Sequence, residues 1–102
     1  MTKSGLYLND FRITAKLANK NEIRYTPAGQ TVIECQLESS GIVVEAGIER
    51  KVNLNLIAVA IGKEAKILDQ MQVGEIGNFQ GFMAHQSIRH QALVFHITQI
   101  SN

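Results

Sequence analysis

Arg24 and Tyr25 open the stretch Arg24-Tyr25-Thr26-Pro27-Ala28-Gly29, where a permanent cation stands beside an aromatic ring. A guanidinium can meet a phosphate and a ring can stack on a base, so the pair suits an unpaired nucleotide. Pro27 fixes its own φ, and Gly29 can take the positive φ that closes a turn. Further cations gather at Lys16 and Lys20 before this turn and at Arg50 and Lys51 after a second one. His85, Arg89 and His90 mark a polar stretch near the end. Carboxylates stand mostly elsewhere, at Glu34, Glu38, Glu45, Glu64, Asp69 and Glu75, although Glu22 and Glu49 interrupt the pattern. The formal net charge is only +1, so overall charge does not announce a polyanion binder and only its distribution hints at one. Each cation that neutralises a phosphate of a single strand adds about −0.7 to the slope of log affinity against log salt. A handful of such cations predicts weak, salt-sensitive, sequence-indifferent binding.

Other chemistries find less support. His85, His90 and His96 have no metal-ligand spacing. Gly74, Gly77 and Gly81 lack the strand–turn–helix setting of a phosphate loop. Glu45 and Glu49 flank a loop with nothing to pair them as acid and base. Cys35 is the single cysteine and falls at an inward strand position, where it reads as a small buried hydrophobe. The expectation is therefore a protein that is not an enzyme and uses no metal or cofactor. The longest apolar run, Leu56–Ile61, is too short for a bilayer, and the first five residues open no signal-peptide stretch. A soluble, cytoplasmic protein with no membrane partner is expected.

A length of 102 residues predicts one domain spanning 1–102. Its apolar residues alternate with polar ones in several segments, as half-buried strands require. The first strand is expected over about 6–18, with Phe11, Ile13, Ala15 and Leu17 inward and a bulge near Asn9-Asp10 where the parity slips. The second covers about 30–39, with Ile33, Cys35 and Leu37 inward. A loop from Ser39 to Glu49 leads to a third strand, Arg50 to Ile61, whose end is apolar on both faces and so covered on both sides. Gly62 to Gln72 is the one helical window. The fourth strand, about 75–84, carries Gly77 and Gly81, a sign of bending or close backbone approach. After the polar loop 85–91 comes a fifth strand, about 92–100. Three strands, one short helix and two strands fit an all-β, five-stranded OB barrel with its helix between strands three and four.

Within that frame Tyr25 is the best stacker. Phe82 reads equally as outer-face or core, and Phe11, Phe79 and Phe95 read as core. Leu6, Tyr7 and Leu8 form an apolar edge suited to a homodimer contact.

The segments Asn9-Asp10-Phe11, Arg24-Tyr25-Thr26-Pro27-Ala28-Gly29, Ile61-Gly62-Lys63 and Phe79-Gln80-Gly81-Phe82 resemble the bacterial single-stranded-DNA-binding-protein superfamily. The loop Glu45-Ala46-Gly47-Ile48-Glu49-Arg50, together with Gln80-Gly81-Phe82 and the ending Thr98-Gln99-Ile100-Ser101-Asn102, is similar to its replication-restart members. The resemblance implies a homodimeric OB fold that binds single-stranded DNA. It also implies the restart helicase, primosomal protein N′, as a partner, and in some bacteria a helicase-loading factor. The expected contact set is Lys16, Lys20, Arg24, Tyr25, Arg50, Lys51, Asn53, Asn55, Phe82, His85, Arg89 and His90. Departures are equally plain. Asn53 and Asn55 stand on the third strand, where the superfamily often has an aromatic stacker. Ile48 stands where an aromatic is common, and the last loop is poor in lysine. An interaction module with little DNA affinity, or a truncated general single-stranded-DNA-binding protein, is the alternative.

Overall fold

Six strands and one helix follow one another in a computed structural model that describes residues 7–101. They are β1 (Phe11–Lys20), β2 (Arg24–Tyr25), β3 (Thr31–Glu45), β4 (Ile48–Ile61), α1 (Lys63–Gln70), β5 (Ile76–His85) and β6 (Leu93–Ser101). Pairing runs β1-β5-β6-β4-β3, and β1 returns to pair with β3, so five strands close into a barrel. The two-residue β2 adds only to the edge of β3. All pairings are antiparallel except β4–β6, which is parallel. This is the five-stranded OB barrel that the element order predicts, with its helix between the third and fourth main strands.

The inward residues of the alternation fill the barrel. Leu17, Ile33, Leu37, Ala58, Phe79 and Phe95 are buried, and Phe11 packs edge-on against Phe95 at 5.2 Å. Burying each large apolar side chain contributes about 1.5–3 kcal/mol. Ala65, Leu68 and Met71 bring α1 into the same core. Eight residues are too few for a helix to stand alone in water, so α1 depends on that burial. It also has no basic residue in its last turn; Lys20 Nζ supplies one from β1, donating to the carbonyls of Asp69 and Met71.

Two glycine positions show what the chain needed them for. Gly29 has φ 86°, and its N–H closes the 26–29 turn on the Thr26 carbonyl at 2.8 Å. At Gly81 the β5 and β6 backbones come so close that a Cβ would lie 1.8 Å from the His96 carbonyl oxygen.

Several expectations are corrected. The segment from Ser39 to Glu49 is not a loop. β3 and β4 continue in unbroken register from Val32↔Ile61 to Glu45↔Ile48, and only Ala46-Gly47 turns. Ala46 (φ 53°) and Gly47 (φ 78°) both take the positive φ of a two-residue hairpin turn. The β-branched run Ile42-Val43-Val44 favours strand, but both of its faces are exposed, so no alternation signals it. The first strand starts at Phe11, and its irregularity lies between Leu17 and Asn19 rather than at Asn9-Asp10. Asn9 instead extends the ladder through its side chain, donating to the Met83 carbonyl at 2.8 Å and accepting from the Met83 N–H at 3.1 Å. The end of β4 is covered on both faces only at Ala58, Val59 and Ala60, while Ile57 and Ile61 stay exposed. Leu6 lies outside the described residues.

Candidate nucleic-acid interface

Residues opposite one another in a sheet share a face, so the strand register sorts the side chains. On β3 and β4 the outward row pairs Glu34 with Val59, Gln36 with Ile57, Glu38 with Asn55, Ser40 with Asn53 and Ile42 with Lys51. Lys16 stands opposite Glu38 and joins this row from β1; Arg24 stands opposite Val32 and joins it from β2. Lys16, Arg24, Lys51, Asn53 and Asn55 therefore occupy one face. Asn53 accepts a hydrogen bond from Ser40 Oγ at 2.9 Å through its amide oxygen, which leaves its NH2 group outward as a donor.

Three members of the expected set do not share that face. Arg50 pairs with Val43, on the opposite side of the hairpin from its neighbour Lys51, and makes an ion pair with Glu45. Tyr25 stands opposite Thr31 and so points away from Arg24, with 69% of its surface exposed. The cation and ring adjacent in sequence thus serve different faces. Lys20 is displaced by the irregularity in β1. Past Leu17, Asn19 comes into line with Gln36 and Lys20 with Cys35, which turns Lys20 toward the inside and onto the end of α1.

Position along the strands divides the set further. β4 and β6 run parallel with Ala58 opposite Phe95, so the 86–92 loop lies at the same end as Asn53, Asn55 and Lys51. That loop is held by Gln86 N–H on the Ala92 carbonyl, by His90 N–H on Ser87 Oγ, both at 3.0 Å, and by Gln91 on the Ile88 carbonyl. It presents Arg89 and His90 to solvent, with His85 exposed at its base. Tyr25 and the 26–29 turn sit at the other end of β3. Nine residue steps along the strand take Thr31 to Ser40, about 30 Å at the usual strand rise.

The electrostatics are muted. Arg24 pairs with Glu34 at 3.1 Å and Lys16 with Glu38 at 3.4 Å. Both pairs are well exposed, and such pairs contribute about 0–1 kcal/mol, so an incoming phosphate can displace the carboxylate. Among the described residues, Lys51 and Arg89 make no ion pair.

Phe82 resolves outward. It lies flat against His96, its partner across β5 and β6, with ring centroids 4.7 Å apart and planes 5° from parallel. It keeps 38% of its surface exposed. His96 lies outside the expected contact set, because a lone histidine in an alternating strand carries no signal. The usable sign was its parity: with β5 and β6 paired as a hairpin, Phe82 and His96 fall on the same outward row. Burial lowers the His96 pKa from its ordinary 6.5, because desolvation disfavours the charged ring.

Burial also pushes the Cys35 thiol up to about 12, which leaves it un-ionised and inert. Among the described residues no three His, Cys, Asp or Glu side chains are grouped to hold a metal ion. No helix among them is long and apolar enough to cross a membrane. Tyr7 and Leu8 are almost fully exposed.

A family described as another single-strand binding protein family matches residues 9–99. The replication restart protein PriB of Bordetella pertussis is 36% identical over 77 residues, which cover 76% of this chain and 72% of that protein. PriB of Nitrosomonas europaea is 28% identical over 95 residues, covering 93% and 88% of the two chains. The structure of PriB from Ralstonia solanacearum matches with a TM-score of 0.86 and 35% identity over 94% of this chain and 98% of that one. The single-stranded DNA binding protein from Thermus aquaticus matches with a TM-score of 0.74 and 21% identity, over 92% of this chain and 49% of that one. That last likeness is one of fold.

Proposed function

The chain belongs to the PriB replication restart proteins of the single-strand binding protein family, and from that membership we propose that it binds single-stranded DNA as an accessory of the restart primosome. In this reading it acts as one OB-fold unit, cytoplasmic and homodimeric, that steadies the restart helicase, primosomal protein N′, on DNA at stalled forks. A helicase-loading factor is a further partner. The dimer forms through the segment that includes Leu6, Tyr7 and Leu8. The one observation that carries the DNA-binding part is the shared outward row of Lys51, Asn53 and Asn55 beside the Arg89 loop. Phosphates meet Lys51 and Arg89 first, and Lys16 and Arg24 once their carboxylates are displaced. Asn53 and Asn55 offer sequence-tolerant hydrogen bonds where a stacking ring is absent. His85 and His90 add ring N–H donors to the loop. Tyr25 and Arg50 extend contact only if the strand wraps to another face, and Lys20 is already engaged by α1.

Fluorescence anisotropy with labelled oligo-dT at several salt concentrations tests this. The parent should bind weakly, with affinity falling steeply as salt rises. Lys51→Ala should reduce the salt slope by about 0.7, the contribution of one phosphate contact. A flat salt response, or no binding at low salt, removes the reading.

The ion pairing of Lys16, Arg24 and Arg50, with a net charge of +1, favours the second reading, a protein-interaction module with little DNA affinity. Under that reading helicase pull-down survives Lys51→Ala and oligo-dT never binds.

A further inference from the structure

We propose that Phe82, held upright by His96, is a base-stacking platform that replaces the missing aromatic of β4; this rests on the single-stranded-DNA reading above. Phe82 and His96 are the flat ring pair of the outward surface. Their row continues across the sheet from Phe82 to His96, then to Val59 on β4 and Glu34 on β3, with Arg24 paired to Glu34 at its far side. Three strand spacings separate Phe82 from Glu34, about 14 Å in a flat sheet. That is a span of two to three nucleotides of stacked or extended single strand, so with a base on Phe82 a phosphate two or three nucleotides along the strand comes near the Arg24 guanidinium.

The local backbone is built to make this pair. Gly81 lets β5 press against the His96 carbonyl, closer than any side chain permits. The register shift between Gln80 and Gly81 sets the following residue directly opposite His96. The stack is therefore positioned by main chain rather than by long side chains, and little rotamer entropy is lost when a base arrives. His96 faces Phe82 on β5 and Val59 on β4, and the row then reaches Glu34 on β3, which pairs with Arg24. Among these groups none competes with Phe82 for a base. His96 is a positioning residue, and Phe82 is the one that touches the ligand.

The chain contains no tryptophan, so Phe82→Trp places a unique fluorophore at the platform. Adding oligo-dT at low salt should quench it, since stacking on a base does so. Phe82→Leu keeps the bulk and removes the ring. It should weaken oligo-dT binding roughly 5- to 150-fold, the usual worth of one stacked base, while leaving the salt slope unchanged because no phosphate contact is lost. His96→Ala should weaken binding in the same manner, and His96→Phe should restore it. Parent binding that persists undiminished in Phe82→Leu, with no quenching in Phe82→Trp, overturns the platform and leaves the DNA-binding reading standing. Absence of binding by the parent at low salt overturns both.

Discussion

The barrel wall and the hairpin arm that projects from it are made of the same two strands, yet they obey different rules. From Ile33 to Leu37, β3 buries alternate side chains in the core with Leu17, Phe79 and Phe95, and Val32 before them joins a second buried cluster with Val59 and Val94. From Ser40 to Glu45, the same strand is exposed on both faces, as is β4 from Ile48 to Asn55. The wall is fixed by burial, and a one-residue slip would turn its whole apolar set to water. The arm is fixed only by its ladder and its turn. Shape follows from this difference: the molecule measures 50 × 36 × 30 Å, elongated rather than round. The arm carries Lys51 and Asn53 where a ligand can reach them, and the wall supplies the rigid base from which it projects.

Glycine separates the two regions most sharply. In the wall, Gly81→Ala drives a Cβ into the His96 backbone, where no side chain can move aside. The cost should be about 3 kcal/mol or more, at or beyond the upper end for overpacking. It would be read as a large fall in the urea midpoint or a failure to fold. In the arm, Gly41→Ala meets nothing within 4 Å and has no positive φ to violate. It should stabilise locally by about 0.4–1 kcal/mol, because alanine has less freedom to lose from the unfolded chain. Equal effects at the two glycines would erase the distinction between wall and arm.

What could be read from the residues follows the same division. Phe11, Ala15, Leu17, Ile33, Cys35 and Leu37 alternate because one face is buried, and burial is what writes a period into sequence. The barrel, its helix and the close approach at Gly81 were legible for that reason. Ile42-Val43-Val44 has no buried face and so no period, and Gly41 beside it imitates a loop. The candidate cations were legible by residue type, while the face each one takes was not. Arg50 and Lys51 are neighbours in the chain and strangers in space, because a strand sends them to opposite faces. Lys20 was lost to a register irregularity at Ala18 that nothing in the composition marks.

The wall also contains a titrating group whose effect on stability can be isolated. His96 has its folded pKa lowered by burial, so the unfolded chain binds more protons below the ordinary value of 6.5. Stability from this group is present in full above pH 6.5 and is lost as pH falls toward the lowered folded value. His96→Phe removes the group and keeps the stack with Phe82. The variant's melting temperature should therefore rise relative to the parent between pH 7.5 and pH 5. Phe82 and Val59 face His96, and neither titrates; the Arg24–Glu34 pair beyond is present in both proteins, so it cancels in the comparison. A difference that does not change with pH would mean the ring is not desolvated in solution.

The smallest expected effect lies at the arm's tip. Ala46 holds φ 53°, a left-handed conformation that costs an L-residue roughly 1–2 kcal/mol, and Gly47 follows at φ 78°. Asparagine accepts that conformation far better, and Asn-Gly is the favoured pair for a two-residue hairpin turn. Ala46→Asn should therefore tighten the arm by about 0.5–1 kcal/mol. A melting curve will scarcely register the change, because the arm can open while the wall stays folded. Amide hydrogen exchange will: protection of the Ile42–Lys51 ladder should rise about two- to fivefold, with Leu37 and Phe95 unchanged. If wall and arm amides rise together, the two regions unfold as one, and the arm is not the separately opening element that its exposure implies. If only the arm responds, its stiffness becomes adjustable apart from the wall, and the salt slope proposed for Lys51 can be tested on a loose and a tight arm.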